Sequence, residues 1–285
     1  MMNPFEQFFG DRIFVINRAS RTDRLHHALA ELRKLGIGTF RRFNAHEPVV
    51  TYEGMPDGNH ACTSSHRTLL DACAVNGWSN MLVLEDDFCL LPGISPSFAA
   101  AAFAHVLREL PADWDMLYLG GSYGSDPLWA QSEHLVRSHT MMTTGSYAIT
   151  SAFSARIAPE IWGHGPIDSL FNAQTPKGEC YTIRPRLFGQ YTSTSDLTGR
   201  STDYLPSMTD SRHEEMLLEG DWQEEGLFKG KLQRRELAAE HDMNGQTVIV
   251  GRQRYRIQRL TVPSHLPPWY RGEPITYHLA PEQPA

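Results

Sequence analysis

The stretch MLVLEDD, residues 81–87, decides the fold, because four apolar residues stop at three consecutive carboxylates, Glu85, Asp86 and Asp87. A Pro-Gly pair at residues 92–93 closes the segment. An apolar run of this length, rich in Leu and Val and bounded by turn residues, is typical of a buried parallel strand. Ligands of open α/β sheets bind beyond the carboxyl ends of such strands, so the three acids are predicted to face a ligand.

Three adjacent carboxylates repel one another, which costs stability unless a cation or solvent screens them. Donors that are all oxygen suit a hard divalent ion, Mg²⁺ or Mn²⁺, better than Zn²⁺. The alternative is a solvated turn that follows a strand. Residues 81–87 alone leave both interpretations open.

The segments before this strand form a β-α-β pattern. Residues 12–17 predict a first strand, residues 20–35 an amphipathic helix ended by Gly36, and residues 39–43 a second strand. The Gly-x-Gly-x-x-Gly fingerprint is missing after the first strand, which disfavours a dinucleotide-binding Rossmann domain. With further strands predicted downstream, the sequence indicates an α/β domain over residues 1–203 with a mixed, mostly parallel sheet.

The remainder of the chain, residues 204–285, differs in amino-acid composition. Dense charge and a thin apolar stripe predict an exposed helical segment to about residue 242. Residues 247–257 predict a small hairpin, and a Pro-rich tail carries Trp269 and Tyr270. A homodimer formed through this segment or tail is a further hypothesis.

Composition excludes several classes of protein. The 285 residues are 41% hydrophobic, enough for one large α/β domain with an appendage. The formal net charge of −7 and the absence of a Lys/Arg cluster argue against nucleic-acid binding. The N-terminus lacks the pattern of a signal peptide, and no apolar run is long enough to span a membrane.

The four cysteines predict reduced thiols. Cys62 and Cys73 fall at the two ends of one predicted helix, roughly 16 Å apart, which is too far for a disulfide. No C-x-x-C pair exists beside Cys89 or Cys180. Buried, reduced thiols favour a cytoplasmic location.

His66 lies early in the helix predicted from residue 61, where free backbone N–H groups favour an anion. The alternative is a buried structural histidine.

Several short blocks occur in an order and spacing that resemble glycosyltransferase family 25. This family comprises the bacterial lipooligosaccharide galactosyltransferases, to which the collagen galactosyltransferases are related. The resemblance covers roughly residues 11–196, and residues 61–87 are its most specific part. The blocks are residues 15–17 with Arg21, Asp23 and Arg24, residues 61–62 with Ser65 and His66, residues 82–87, residues 145–149, and residues 166–168.

The resemblance implies a GT-A-type fold, a single Rossmann-type domain that binds a UDP-sugar and a divalent metal, usually Mn²⁺. Residues 85–87 stand where that fold places its Asp-x-Asp motif. By analogy, Asp87 contacts the metal between the two phosphates, and Glu85 or Asp86 contacts the ribose or a metal-bound water. Glu85 replaces the usual first Asp, so it is also a candidate metal ligand, and Asp196 or His213 is the candidate for a later one.

Other residues are assigned by the same resemblance. Asn17, Arg21 and Arg24 match the segment that flanks the nucleotide, where either arginine contacts phosphate or is simply a surface helix charge. Thr144, Gly145 and Ser146 would line the donor sugar. The candidates for stacking an acceptor sugar are Trp129, Trp162 and Tyr191, with a core position as the alternative for each.

The family is thought to invert the anomeric centre, which requires a base for the acceptor hydroxyl. Asp168, in the family's Pro-x-Asp motif, is the candidate base; the alternative is that it caps the helix at Ser169. The resemblance therefore implies a hexosyltransferase of lipopolysaccharide biosynthesis. It would use a UDP-sugar, galactose being the first candidate, and a glycan, a lipid-linked glycan at the inner membrane face or a peptide as acceptor. The alternatives are a catalytically silent nucleotide-sugar-binding module and a metal-dependent phosphohydrolase.

Overall fold

The computed structural model describes residues 3–50, 56–122, 129–132, 134–138, 141–163, 165–194, 201–209, 216–232, 247–250, 253–261 and 275–281. The chain divides into two compact units, one of residues 1–122 and 131–209, the other of residues 123–130 and 210–285. In this division the first unit extends to residue 209, and the domain boundary after residue 203 stays a prediction. Every helix in the described ranges is too short or too polar to cross a lipid bilayer.

The helices of the first unit and the strands of both units are numbered in chain order. The helices are α1 Pro4–Phe9, α2 Thr22–Leu35, α3 Gly58–Val75, α4 Pro96–Glu109, α5 Ser151–Ile157, α6 Ile167–Asn172 and α7 Leu205–Thr209. The strands along the chain are β1 Ile13–Asn17, β2 Arg41–Asn44, β3 Val49–Val50, β4 Pro56–Asp57, β5 Asn80–Glu85, β6 Phe88–Leu90, β7 Met116–Tyr118, β8 Trp129–Ala130, β9 Leu135–Arg137, β10 Ser146–Thr150, β11 Cys180–Ile183, β12 Phe188–Gln190, β13 Ser193–Thr194, β14 Ser201–Thr202, β15 Met216–Glu224, β16 Leu227–Leu232, β17 Thr247–Val250, β18 Gln253–Thr261 and β19 Ile275–Pro281.

The main sheet of the first unit has the strand order β2-β1-β5-β10-β7-β11-β9. Strand β1 is parallel to β2 and β5, and β7 is parallel to β11. Strand β10 is antiparallel to β5 and β7, and β9 is antiparallel to β11. The predicted α/β class and mixed sheet are confirmed, with parallel and antiparallel pairs equally represented among these strands.

The apolar run of residues 81–84 forms the buried part of β5, between β1 and β10, and its four side chains have no exposed surface. Because successive side chains of a strand face opposite sides, Leu82 and Leu84 join the aromatic core beneath α1, α2 and α4. In that core Phe5 stacks on Phe103 with ring centroids 4.2 Å apart. Burying each such side chain stabilises the fold by about 2–3 kcal/mol. This layer therefore holds β5, and with it the end of the strand, in place.

The second unit contains a closed barrel with strand order β15-β16-β19-β18-β17. Strands β15 and β17 are parallel, and the other neighbouring pairs are antiparallel. The predicted hairpin is confirmed, since β17 pairs with β18. The tail residues Trp269 and Tyr270 lie outside the described residues.

The exposed helical segment predicted for residues 204–242 is wrong over residues 216–232, which form β15 and β16. These two strands are joined at Gly226, whose φ of 76° favours glycine. Across the barrel, Phe228 is buried and Trp222 contacts both Phe228 and Tyr255. Aromatic packing between distant strands therefore overrides the local charge pattern.

Gly120 follows β7, and a glycine at the end of a strand can admit either a ligand or another backbone segment. In this structure it admits backbone, because a Cβ at residue 120 would lie 1.9 Å from the carbonyl oxygen of Phe188. Gly120 thus lets two backbone segments pack together, and it forms a parallel bridge with Phe188.

Replacing Gly120 with alanine should lower the free energy of unfolding by about 1–3 kcal/mol or more, because the backbone must move to admit the methyl group. Urea denaturation followed by circular dichroism measures this. Gly38→Ala is the matched control, since its Cβ would meet only Glu6 Oε1 at 3.8 Å. Equal losses in both variants would show that the close approach at Gly120 is not what matters.

Candidate functional site

A cleft of about 570 Å³ opens in the first unit at the carboxyl ends of β1 and β5. This is where ligands of open α/β sheets collect. Side chains that line it include Arg24, Cys62, His66, Glu85, Asp86, Asp87, Thr143, Thr144, Asp168, Gln190 and Tyr191.

Asp86 is a buried acid whose two oxygens are both engaged. Asn17 donates an Nδ2 hydrogen to Oδ2 at 2.6 Å, and Arg24 donates to Oδ1 at 3.0 Å. Asn17 itself is fixed, because it also donates to the backbone oxygen of Arg21 and accepts from Arg42. Burial raises the pKa of Asp86, and the bonds from Asn17 and Arg24 offset this only in part. Asp86 therefore holds Asn17 and Arg24 in place at the wall of the cleft.

Asp87 is buried beside Asp86, and its contacts with neighbouring donors are longer than those of Asp86. Arg24 lies 3.2 Å from Asp87 Oδ2, and Gln190 Nε2 donates to Oδ1 at 3.2 Å. Burial and the charge of Glu85 raise the pKa of Asp87 to about 7, against the opposing effect of Arg24. In the absence of another cation, Asp87 is therefore about half protonated near pH 7.

Glu85, the last residue of β5, keeps 22% of its side chain exposed to the cleft. Thr144 donates to Oε1 at 3.0 Å, and His66 Nε2 lies 3.4 Å from the same oxygen. Burial raises the pKa of Glu85, but His66, Thr144 and Arg24 lower it by more, so it lies below its ordinary value. Glu85 is thus a carboxylate at neutral pH.

The charges in this cluster are unbalanced. Three carboxyl groups share one guanidinium, Arg24, whose Nε is buried and has no hydrogen-bond partner among the described residues. The solvated-turn interpretation does not hold, because Asp86 and Asp87 are only 6% and 8% exposed. The carboxylate oxygens of Glu85 and Asp87, which line the cleft, are hard donors, so the residues present fit a divalent cation such as Mn²⁺ or Mg²⁺.

The two candidate arginines have different positions. Arg24 is 8% exposed and lies in the cleft, where it also donates to Ser193 Oγ at 2.7 Å. Arg21 does not line the cleft; it donates to both oxygens of Asp23, at 2.9 and 3.0 Å, and to the backbone oxygen of Thr194. The surface-charge alternative therefore describes Arg21, and of these two arginines it is Arg24 that lies within reach of a ligand in the cleft.

The anion-binding argument for His66 is wrong, because α3 begins at Gly58 and His66 lies more than two turns inside it. The residues before the predicted start, Gly58, Asn59 and His60, extend the helix despite modest propensities. His66 is fully buried, and its Nδ1 lies 2.9 Å from Tyr147 Oη.

Asp168 lies in the first turn of α6 and lines the cleft. Its Oδ1 accepts the backbone N–H of Ser169 at 2.8 Å, so one oxygen does satisfy the helix N-terminus, although Pro166 is the N-cap residue. Within the described ranges, Oδ2 has no hydrogen-bond partner. Burial and the charge of Glu85 raise the pKa of Asp168. Its geometry is compatible with both the capping and the base interpretations.

Of the stretch predicted to line the donor sugar, Thr144 lines the cleft, whereas Gly145 and Ser146 lie behind it. The backbone oxygen of Gly145 accepts the N–H of Glu85 at 2.9 Å, and Ser146 is buried in β10 opposite Leu84. A Cβ on Gly145 would meet the Gln190 side chain at 3.4 Å. Gly145 thus leaves space for the amide that reaches Asp87.

Some of the remaining predicted residues lie outside the described part of the chain, and the others lie either in the cleft or away from it. Asp196 and His213 lie outside the described residues, as does the side chain of Trp129. Trp162 is 64% exposed and does not line the cleft, whereas Tyr191 does line it and lies against the ring of His27.

Sequence reasoning missed Gln190 and Cys62 as parts of the site, whereas Thr144 belongs to the stretch predicted to line the donor sugar. Gln190 comes from distant β12, and nothing in its local sequence marks it. Cys62 did carry a signal, because residues four apart on a helix share a face, and His66 follows it by four.

No protein-family model and no curated protein sequence matches the chain. Among solved structures, A197 from STIV is 14% identical with a TM-score of 0.42, covering 64% of this chain and 85% of that one. Mannose-1-phosphate geranyltransferase from Thermus thermophilus is 12% identical with a TM-score of 0.36, covering 74% and 68%. A Drosophila beta-1,4-galactosyltransferase 7 in complex with manganese, UDP-Gal and xylobiose is 10% identical with a TM-score of 0.36, covering 95% and 94%. At these values the similarities carry no argument about function, which rests on the cleft.

Proposed function

We propose that the chain is a metal-dependent, inverting glycosyltransferase that moves a hexose from a UDP-sugar to a hydroxyl acceptor. The observation that carries the proposal is the buried acidic cluster at the end of β5, with Glu85 and Asp87 facing a cleft that also contains Asp168. The resemblance of residues 11–196 to glycosyltransferase family 25 supports the same assignment and makes galactose the first sugar to test.

Glu85 and Asp87 would hold Mn²⁺ or Mg²⁺, with Asp196 as a further candidate ligand. When bound, the cation neutralises the charge of the donor's pyrophosphate and of the departing UDP. Arg24 and Asn17 hold Asp86, and Arg24 together with Gln190 orients Asp87. These contacts fix the carboxylates before a ligand arrives, which reduces the cost of ordering them.

Asp168 is proposed to take the proton of the acceptor hydroxyl as that oxygen attacks the sugar. Its partly buried position beside the Glu85 charge raises its pKa, which makes it a stronger base than an exposed aspartate. The acceptor is a glycan, a lipid-linked glycan or a peptide. Cytoplasmic location, recruitment to the inner membrane face and a homodimer are likewise predictions from the sequence.

Calorimetric titration of UDP into the full-length protein, with and without Mn²⁺, tests the donor site. Tighter binding with Mn²⁺, followed by release of UDP from one member of a UDP-hexose panel when acceptor is added, is the expected result. Metal-dependent binding without turnover of any donor would favour the catalytically silent module. An affinity for UDP that is the same with and without Mn²⁺ would count against the metal site.

A further inference from the structure

A second group of donor atoms meets at the wall of the cleft. Cys62 and His66 share one face of α3, since they are four residues apart, and Glu85 faces them from the end of β5. One donor atom from each of the three lies within 4.8 Å of the other two. The group combines a thiol, an imidazole and a carboxylate, whereas the remainder of the acidic cluster offers oxygen alone.

His66 supplies the observation that points to a ligand. Its side chain is fully buried, and Nε2 has no hydrogen-bond partner among the residues that the structure describes. Glu85 Oε1 is 3.4 Å away but not aligned for a hydrogen bond, so that contact is electrostatic. A buried polar atom without a hydrogen bond destabilises the fold, and a bound cation would remove that cost.

The other ring nitrogen of His66 is already fixed. Nδ1 lies 2.9 Å from Tyr147 Oη, and Tyr147 is itself fully buried in β10. With the proton on Nδ1 donated to Tyr147, the lone pair on Nε2 is free to bind a metal. Metal-binding histidines in proteins are held in the same way, by a hydrogen bond from the second nitrogen.

We propose that Cys62 Sγ, His66 Nε2 and a carboxylate oxygen of Glu85 bind a thiophilic divalent cation, with Zn²⁺ as the first candidate. Donors around a tetrahedral zinc ion lie roughly 3.3–3.8 Å apart, and the 3.4 Å between His66 and Glu85 already meets this spacing. A thiolate and a carboxylate balance the +2 charge. Three protein ligands leave a fourth position open to the cleft, as in catalytic rather than structural zinc sites.

Ligand chemistry separates this site from the one proposed for Mn²⁺. Thiolate and imidazole favour zinc and cobalt, whereas the oxygens of Glu85 and Asp87 favour Mn²⁺ or Mg²⁺. The two proposed sites share Glu85, whereas Cys62 and His66 belong to the zinc site alone. Zinc binding through these two side chains can therefore be tested separately from the proposed glycosyltransferase activity.

Cobalt substitution tests the site directly. Metal-free full-length protein is titrated with Co²⁺, and zinc affinity is measured by competition with a chromophoric chelator. Wild type should show thiolate-to-cobalt charge-transfer absorption, which Cys62→Ser should lose together with a factor of about 100 or more in zinc affinity, since even an outer partner of a ligand contributes 10–100-fold. Cys73→Ser, on the same helix, is the matched control and should keep both.

Alkylation of the wild-type protein provides a measurement that needs no variant. Zn²⁺ should protect Cys62 from iodoacetamide, as read by peptide mass spectrometry, and Mn²⁺ should not. Charge-transfer absorption or zinc affinity that is unchanged in Cys62→Ser, or equal alkylation of Cys62 with and without Zn²⁺, would overturn the proposal. No nucleotide is present in these assays, so their failure leaves the glycosyltransferase proposal to its own test with UDP and Mn²⁺.

Discussion

An Asp168→Asn variant should bind UDP as wild type does in the presence of Mn²⁺ and lose about 10²–10⁴-fold in transfer rate, the usual contribution of a general base. Asparagine retains the Oδ1 acceptor, so the bond from the Ser169 N–H that helps to hold the start of α6 is preserved. What it removes is the basicity of the carboxylate that faces the cleft. Steady-state UDP release with the best donor from the panel, together with calorimetry, separates the two effects.

The same variant distinguishes the base from the cap. A residue that only stabilises α6 would give Asp168→Asn normal turnover, and transfer at the wild-type rate would remove Asp168 from the mechanism. Asp113→Asn, an exposed carboxylate outside the cleft, is the control for a general effect of lost negative charge. In wild type the transfer rate should also fall as the pH drops through the pKa of Asp168, which burial and Glu85 raise above its ordinary value.

Local sequence was sufficient to predict the centre of the fold. The run at residues 81–84 is buried on both faces of the sheet, so it reads as an unbroken apolar strand, and the abrupt change at Glu85 marks where that strand meets the cleft. The β-α-β opening follows from periodicity in the same way.

The parts that sequence did not predict depend on contacts between distant residues. Gln190 reaches Asp87 across 103 residues, through the pairing of β12 with β6. In the barrel, Phe228 lies opposite Tyr277 where β16 pairs with β19. Residues 216–232 read as a charged, half-exposed segment when considered alone, and only the partner strands reveal which positions are buried.

An Asp87→Asn variant should lose the Mn²⁺-linked gain in UDP affinity, by at least the 10–100-fold that removing even an outer partner of a metal ligand costs. In wild type the cation displaces a proton from Asp87, whose pKa is raised to about 7 by burial and by Glu85. UDP affinity in Mn²⁺ should therefore weaken as the pH falls below about 7. Calorimetry at several pH values measures both effects.

The stability of the metal-free protein should change in the opposite sense. A carboxyl group whose pKa is raised on folding stabilises the fold at low pH, and that contribution is lost as the pH rises through the raised pKa. Wild type should thus lose stability between about pH 5 and pH 8 relative to Asp87→Asn, in which the neutral amide has no charge to bury. Urea denaturation at the two pH values, with and without Mn²⁺, tests this, and Mn²⁺ should stabilise wild type alone at the higher pH.

Asp86→Asn is the contrasting control because it should destabilise at both pH values. In wild type both oxygens of Asp86 accept a hydrogen bond, one from Asn17 Nδ2 and one from Arg24. The NH₂ group of an asparagine would face one of these two donors, and neither can accept its hydrogen. Leaving one such buried donor unpaired costs about 1–3 kcal/mol. If Asp87→Asn kept the Mn²⁺-linked affinity, or showed the same pH dependence of stability as wild type, Asp87 would not be the acid that a cation neutralises, and the acidic cluster would be a structural network centred on Arg24.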